Sequence, residues 1–337
     1  MTTKPANIVP LSQMADGQEA DTFILLVRKE ESKTREGKSY WRVTFRDVQR
    51  EVTFPIWNDS PLADGCRSSW RTGIFYKVRG IYRTTSFGPQ LDIKRIREAG
   101  DEDRADGFDP LALTPRSRFE PGTMLEELLA LARERIQDAP LAQLVAGILT
   151  EQRKLLLELP AGRHHHDVRG GFLEHVLSVT RNAVFLAEKY GALYPDQLPP
   201  LSQDLVVAGA ILHDIGKLQE LRATPSGAEF TPAGELIGHI VLGRDIVRDA
   251  ASRYPLPAVT LLRLEHVVVS HQRSPEWGSP KPPMTPEALL VFYADDVDAR
   301  LQMMVEALQA DASDGWITSK QNALGQRVFK GPGASNE

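Results

Sequence analysis

Residues 211–221 read ILHDIGKLQEL, and this stretch decides the fold of the second part of the chain. It continues an apolar run over 205–212, which predicts a buried helix. The run ends in an adjacent His213 and Asp214, and Gly216 then releases the backbone from the helix. Lys217 follows, where its charge can face a substrate phosphate. The stretch therefore predicts two ligand-type side chains at a helix end.

Further ligand-type residues follow the same pattern on other predicted helices. All eight histidines lie after residue 160, although an isolated helical histidine is usually a core or surface residue. Imidazoles and carboxylates bind transition metals, and a carboxylate can bridge two cations. The residues that recur are His175 in GGFLEH, His239 in GHIVLG, His271 in VVSHQ and Asp295 in YADDVDA. Together with His213 and Asp214, they predict a centre of divalent metal ions.

Helical periodicity covers the remainder of this second region. Apolar residues repeat at helical spacing over 124–136 and again over 172–190. Pro257 can begin a helix that runs toward His271, and Thr285 is an N-cap signal for a helix through Asp295. The region from 123 to 330 is therefore predicted to be an all-α bundle.

The region before it has the pattern of a small β-barrel. Five β-rich stretches alternate with turn residues: FILLVRK, YWRVTFRD, EVTFPIW, IFYKVRGIY and QLDIKRI. Five strands of this length resemble an OB-fold, which binds nucleic acids but also serves in protein docking. The predicted fold is thus an all-β OB-fold barrel followed by an all-α bundle. The predicted boundaries are a tail over 1–21, the barrel over 22–98, a linker over 99–122, the bundle over 123–330 and a tail over 331–337.

The net charge of −5 hides an uneven distribution along the chain. Residues 22–98 contain 16 Lys and Arg against 9 Asp and Glu, which leaves −12 for the remainder. Strand alternation places aromatic and basic side chains on the outer face of the barrel, where they can stack on bases and follow phosphates. This predicted nucleic-acid surface consists of Tyr40, Arg42, Lys77, Arg79, Arg83 and Lys94.

The sequence lacks the motifs and segments that would indicate several other classes of protein. No apolar run is long enough for a membrane span, and residues 1–21 do not resemble a signal peptide, so we expect a cytoplasmic protein that does not bind membranes. A lone Cys66 predicts neither a disulfide nor a redox role. The sequence has no serine-hydrolase elbow, phosphate-binding Walker loop or CxxC zinc pair.

Five segments, in this order, resemble the YhaM-like 3′-to-5′ exoribonucleases of the HD phosphohydrolase superfamily: PAGRHHHDVRGGFLEHVLSV, LHDIGKLQEL, GELIGHIVLG, SHQRSPEWGSP and TPEALLVFYADDVDA. That family also has an OB-fold in front, so the resemblance covers roughly residues 20 to 330. It implies one metal ion held by His175, His213, Asp214 and Asp295. Asp214 would bridge to a second ion held by His239 and His271. The resemblance thus implies one or two divalent ions per chain, with Mn, Fe, Mg, Co and Ni as the candidates.

The sequence departs from this pattern at Gln272, where two-metal relatives usually have a second histidine. An amide is a weaker ligand than imidazole, so the second site is predicted to bind metal more weakly. His266 lies too far round the helix to replace it, so His266 and Gln272 are interpreted as supporting residues. Glu174 is a candidate for orienting a metal-bound water, beside Asp214 and Lys217 as catalytic residues. His164, His165 and His166 form a loop cluster that could contact phosphate.

The function predicted from these features is metal-dependent hydrolysis of single-stranded RNA or DNA from the 3′ end, with RNA favoured. Two alternatives stay open. One is an HD enzyme that acts on free nucleotides or cyclic dinucleotides, and the other is a non-catalytic nucleic-acid-binding protein with a degraded site at Gln272. A homo-oligomeric state is also left open.

Overall fold

The computed structural model describes residues 8–34, 36–85, 88–110, 112–162, 168–225, 227–311, 313 and 315–331. The chain divides into two compact units, Met1–Pro115 with Thr224–Ser226 and Arg116–Ala223 with Gly227–Glu337. Strands dominate the first unit and helices the second. The predicted order of a β unit followed by a helical unit is confirmed.

The first unit contains an antiparallel five-stranded sheet with the strand order β3-β2-β1-β4-β5. Because β3 also lies against β5, the sheet closes into a barrel. A short helix, α1 (Ala63–Ser68), connects β3 to β4. This closed five-stranded arrangement is that of an OB-fold, as predicted. The strands are β1 (Glu19–Lys33), β2 (Ser39–Arg46), β3 (Glu51–Trp57), β4 (Phe75–Thr85) and β5 (Gly88–Glu98).

The barrel interior follows the alternation of the strands. Val43 and Phe45 of β2 are buried beside Tyr76, Val78 and Tyr82 of β4, as the period of two requires. Thr44 belongs to the opposite face by this alternation, yet it is also buried. Its hydroxyl lies 2.9 Å from that of Thr53 on the neighbouring strand, so the two hydroxyls form a hydrogen bond with each other.

The ends of the barrel differ from the predicted boundaries. Leu11 and Met14 fall in the predicted tail, but both are buried in the barrel core, and β1 already begins at Glu19. Within the predicted linker, residues 101–106 form a 3-10 helix. Phe108 follows and packs against Phe23 and Phe75 at ring distances of 5.1 and 5.7 Å. The polar, glycine-rich composition of residues 99–122 does not indicate these contacts, because only a few apolar side chains make them.

The second unit is predominantly helical, with one short β-hairpin inserted after α7. Thr285 caps α11 by accepting a hydrogen bond from the N–H of Ala288, as the sequence predicted. The helices are α2 (Pro121–Arg135), α3 (Ala139–Glu151), α4 (Arg153–Leu156), α5 (Gly171–Leu193), α6 (Gln203–Leu212), α7 (Lys217–Glu220), α8 (Pro232–Leu236), α9 (His239–Arg253), α10 (Ala258–Ser270) and α11 (Pro286–Ala310), and the hairpin strands are β6 (Leu221–Thr224) and β7 (Gly227–Phe230).

The core of the helical unit surrounds α6, whose residues 205–212 are all buried. Helices α5, α10 and α11 pack against it, so a residue at the end of α6 faces several helices at once. After α11, Ile317 pairs with Phe329 across a single bridge. Residues 332–337 of the predicted tail lie outside the described residues. No helix in the described ranges is both long and apolar enough to cross a membrane.

Candidate metal centre

Six side chains of the ligand type lie together around the end of α6. His213 and Asp214 belong to the turn that follows this helix, and Asp214 is buried. Each of the other four comes from a different helix or helix end. These are His175 in α5, His239 as the first residue of α9, His271 directly after α10, and Asp295 in α11.

Asp214 divides the cluster into two groups, because its two oxygen atoms face opposite sides. Oδ2 lies 3.6 Å from His175 Nε2 and 3.5 Å from His213 Nε2. Oδ1 lies 3.4 Å from the Nε2 atoms of both His239 and His271. Asp295 joins the first group, with Oδ1 3.2 Å from His175 Nε2. Two groups that share a single carboxylate could each hold a metal ion.

The distances and the polar atoms fit metal ions. Ligand atoms about 2.1 Å from one ion at a tetrahedral angle are about 3.4 Å apart. The Nε2 atoms of His213, His239 and His271 and the Oδ1 atom of Asp214 are buried and have no hydrogen-bond partner among the described residues. Leaving such atoms unsatisfied costs free energy, whereas a cation in each group would satisfy them.

The opposite nitrogen atom of each imidazole is held in place. Nδ1 of His175 donates to Asp298 at 2.7 Å, and Nδ1 of His239 donates to Glu220 at 2.9 Å. The other two donate to backbone carbonyls: His213 Nδ1 to Ala210 at 2.8 Å and His271 Nδ1 to Val268 at 2.7 Å. A proton on Nδ1 leaves the lone pair of Nε2 directed into the centre, as a metal ligand requires.

The charges within the cluster reinforce one another. Burial lowers the pKa of His175, but hydrogen bonds to Asp214, Asp295 and Asp298 outweigh it and raise that pKa well above its ordinary value. Burial raises the pKa of Asp214, but the charges of Lys217 and His213 bring it well below the usual range. Asp214 therefore stays ionised, and metal binding would displace a proton from His175.

The part of the chain that contains this arrangement is similar to a known protein family. Residues 172–300 match the HD domain family. This HD domain includes all six ligand-type residues, and HD domains are typically metal-dependent phosphohydrolases.

Two solved structures are similar to a smaller part of the chain, and both are domains of replication protein A from Methanococcus maripaludis. A crystal structure is 14% identical, covers 27% of this chain and 93% of its own, and has a TM-score of 0.22. A solution structure of the second OB-fold domain is 15% identical, covers 28% and 96%, and has the same TM-score of 0.22. The OB-fold of the present chain is defined by its own strand order.

Gly216 has a different role in the HD domain from the one expected. Its φ is −65°, so the residue does not adopt the left-handed conformation of a helix-ending glycine. A β-carbon at this position would overlap the carbonyl oxygen of His239 and the nitrogen atom of Gly243. The glycine therefore allows α9 to approach the turn that contains His213 and Asp214.

Lys217 and Gln272 line one cleft of about 510 Å³ with the ligands Asp214, His271 and Asp295. Nζ of Lys217 lies 2.6 Å from Oδ2 of Asp214, so this cation is fixed against the shared carboxylate. The backbone N–H of Gln272 donates to Ser279, and its side chain is half-buried beside His271.

Three other predictions concern positions outside the ligand cluster. His266 Nε2 accepts the backbone N–H of Met284 at 2.8 Å, so this imidazole supports the loop before α11. Glu174 accepts a hydrogen bond from Ser117 at 2.6 Å and lies 3.5 Å from Arg118, in a separate cleft of about 660 Å³. His164, His165 and His166 lie outside the described residues.

Sequence reasoning missed the two carboxylates that hold the imidazoles, Asp298 and Glu220. Asp298 lies three residues after Asp295, one turn along α11, and this spacing was a usable signal. Glu220 had no such signal, because its partner His239 belongs to a different helix.

The predicted nucleic-acid residues separate into two sets. Lys77 lies 3.1 Å from Asp103 and 2.5 Å from Asp106, while Arg79 and Lys94 lie 2.8 and 2.7 Å from Glu19. These three cations are therefore largely neutralised within their own unit. Arg42 and Arg83 are exposed.

Tyr40 has an aromatic neighbour that the prediction did not include. It pairs across the sheet with Trp57, which is 37% exposed, at a ring distance of 5.1 Å. Nζ of Lys38 lies 5.3 Å from the Trp57 ring. An aromatic pair with an adjacent cation is a surface on which bases can stack.

Proposed function

We propose that this protein is a metal-dependent phosphodiesterase that removes nucleotides from the 3′ end of single-stranded RNA or DNA in the cytoplasm, with RNA preferred. The observation that supports it most is the position of Asp214 between two pairs of imidazoles, directly beside an open cleft. The match to the HD domain family favours phosphate-ester chemistry at such a centre.

The residues have separate tasks in this proposal. His175, His213, Asp214 and Asp295 would hold one ion, and Asp214, His239 and His271 a second. Divalent ions supply a water of lowered pKa and stabilise negative charge on a phosphate. Asp298 and Glu220 orient His175 and His239, and Lys217 holds the carboxylate of Asp214 while it presents positive charge to the cleft.

The OB-fold barrel has the strand-binding role in this proposal. Tyr40 and Trp57 would stack on bases, and the exposed Arg42 nearby would contact phosphates. Stacking accepts every base, so such a surface suits a nuclease without sequence preference. Lys77, Arg79 and Lys94 contribute less because carboxylates already pair with them.

The proposal is tested with the full-length protein, Mn²⁺ and a single-stranded oligonucleotide labelled at its 5′ end. We expect stepwise shortening from the 3′ end, release of mononucleotides, and complete loss of hydrolysis in Asp214→Ala. Free nucleotides and cyclic dinucleotides are the parallel substrates. Faster hydrolysis of either would replace the exonuclease with that alternative, and metal binding without hydrolysis of any substrate would favour the non-catalytic one.

A further inference from the structure

The lining of the cleft beside the metal centre includes residues that the proposed chemistry does not use. Trp277 and Arg300 line it together with the ligands Asp214, His271 and Asp295. Trp277 is 50% exposed although it belongs to a tight loop beside the ligands. Exposure alone does not identify a site, since Trp316 is 56% exposed as well, but Trp277 lines the same cleft as three of the ligand-type residues.

The loop that holds Trp277 is rigid and begins at a ligand. It runs from His271 to Ser279, a fully buried residue whose hydroxyl accepts the N–H of Gln272 at 3.0 Å. Within it, the N–H of Trp277 donates to the carbonyl of Ser274 at 3.1 Å. Gly278 then takes a φ of +102°, which favours glycine and closes the turn. These contacts tie the backbone at Trp277 to the turn that follows His271.

Arg300 supports the indole from α11. Its guanidinium carbon lies 5.6 Å from the centre of a Trp277 ring, and its Nε donates to Asp296 at 2.6 Å. A cation held over an aromatic ring is attracted to its π-electrons and restricts its rotation. The indole is thus prepared to stack with a flat ligand without losing side-chain freedom on binding.

We propose that this cleft binds the terminal nucleotide of the substrate and that its base stacks on Trp277. The inference rests on the proposed function, since it assigns the base of the nucleotide whose phosphate the metal centre would hold. Stacking on an indole accepts purines and pyrimidines alike, which agrees with successive removal of different nucleotides. Arg300 acts as a positioning residue for the indole.

The test measures nucleotide binding apart from hydrolysis. Isothermal titration calorimetry gives the dissociation constants of adenosine 5′-monophosphate and ribose 5-phosphate for the full-length protein, with and without Mn²⁺. We expect Trp277→Ala to weaken binding of the nucleotide about ten-fold or more and to leave binding of ribose 5-phosphate unchanged. Trp277→Phe should retain most of the affinity.

Trp316→Ala is the matched control, because Trp316 is 56% exposed and does not line the cleft. It should bind the nucleotide like the unmodified protein. The inference is overturned if the unmodified protein does not bind adenosine 5′-monophosphate, if Trp277→Ala binds it equally well, or if both variants lose the same affinity.

Strand hydrolysis, assayed on the same preparations, separates this inference from the proposed function. Trp277→Ala should raise KM more than it lowers kcat, because the base contact is present before the reaction. Normal hydrolysis with binding independent of Trp277 would reject only the stacking role. Binding that depends on Trp277 without strand hydrolysis would reject only the exonuclease.

Discussion

At the scale of single residues, the carboxylates behind the imidazoles determine how well the centre can bind metal. Asp298 accepts from His175, which belongs to the first ligand group. We expect Asp298→Asn to reduce metal affinity about 10- to 100-fold, because an amide holds the imidazole less firmly and makes it less basic. Metal titration followed by calorimetry measures this change.

Asp249→Asn is the control for that substitution, since Asp249 is exposed on α9 and forms an ion pair with Arg253. It should leave the affinity unaltered. Equal affinities in the protein and in Asp298→Asn would show that the carboxylate does not support the centre.

Gln272 determines a second prediction at this scale. It lines the cleft next to His271 and offers an amide oxygen, which is a weaker ligand than an imidazole nitrogen. The second ion should therefore bind more weakly than the first, and activity should rise as divalent metal is added well beyond one equivalent.

Gln272→His should shift that rise to lower metal concentration by supplying the missing nitrogen ligand. The His266→Gln variant serves for comparison, because His266 contacts the backbone of Met284 and not the ligands. If the unmodified protein retains two ions through purification, or if Gln272→His leaves the metal dependence as it was, Gln272 is already an adequate ligand.

The ligand residues were accessible to sequence reasoning because His and Asp in helical apolar faces are chemically conspicuous. Gln272 stood out only through the family resemblance, as the position where a second histidine was expected. Asp298 offered a spacing signal three residues after Asp295, whereas nothing in the sequence indicates that Glu220 faces an imidazole from another helix. Trp277 was hidden in the same way, because its exposure depends on a turn that Ser279 holds.

At the scale of elements, the contact between α9 and the turn after α6 depends on Gly216. The β-carbon of Ala at this position would overlap the backbone of α9. We expect Gly216→Ala to lower the free energy of unfolding by about 1–3 kcal/mol. It should also weaken the second metal group, since His239 is the first residue of the displaced helix.

Urea unfolding and metal titration measure the two effects of Gly216→Ala. Gly122→Ala on α2 is the control, because its nearest added contact is at 4.0 Å and a helical alanine is favoured over glycine. Unaltered stability in Gly216→Ala would mean that α9 moves away without cost, contrary to the packing described above.

Prediction at this scale was good for elements that show a clear period and poor for short ones. The five strands and the long helices follow the alternation and the 3.6-residue period of their apolar residues. The hairpin of β6 and β7 has four residues in each strand, which is too short for a pattern. This hairpin is therefore evident in the structure but was not predictable from the sequence.

At the scale of the whole molecule, the barrel and the HD domain should contribute separately to substrate binding. We expect Trp57→Ala to raise the dissociation constant for a long single strand about five-fold or more, because a base loses its stacking partner. Hydrolysis of a small phosphodiester should not change. Fluorescence anisotropy with a labelled strand measures the binding.

Arg79→Gln tests whether the cations that are paired with carboxylates also contribute to strand binding. Since Arg79 already pairs with Glu19 and Asp21, its loss should weaken strand binding less than the loss of Trp57. If Arg79→Gln weakens strand binding more than Trp57→Ala does, the strand binds to the cations predicted from the sequence and not to the pair of Tyr40 and Trp57.

The stability of the barrel unit should depend on pH through the buried Asp103. Hydrogen bonds from Arg97 lower its pKa, burial opposes this, and bonds from Gly100 and Lys77 assist, so the pKa falls well below the usual range. A lowered pKa in the folded state stabilises the fold above the unfolded value of about 4, and the stabilisation is lost as pH falls below it.

Asp103→Asn should therefore cost about 1–3 kcal/mol near neutral pH, and the difference from the unmodified protein should shrink below about pH 4. Urea midpoints at several pH values measure it. Asp101→Asn is the exposed control and should change little at any pH. A difference that persists unchanged into acid would exclude ionisation of Asp103 as the cause.

The hydrogen bonds that orient the four imidazoles also bear on how this protein can evolve. Two acceptors are side chains, Asp298 and Glu220, so a single codon change can remove either one. The other two are main-chain carbonyls, at Ala210 and Val268, and these persist whatever side chain stands there. Each metal group has one acceptor of each kind, so no single substitution at an acceptor position deprives a group of both. Substitutions at residues 210 and 268 therefore leave these hydrogen bonds intact, and selection on the metal centre does not oppose them, provided that the new side chains still pack in the core.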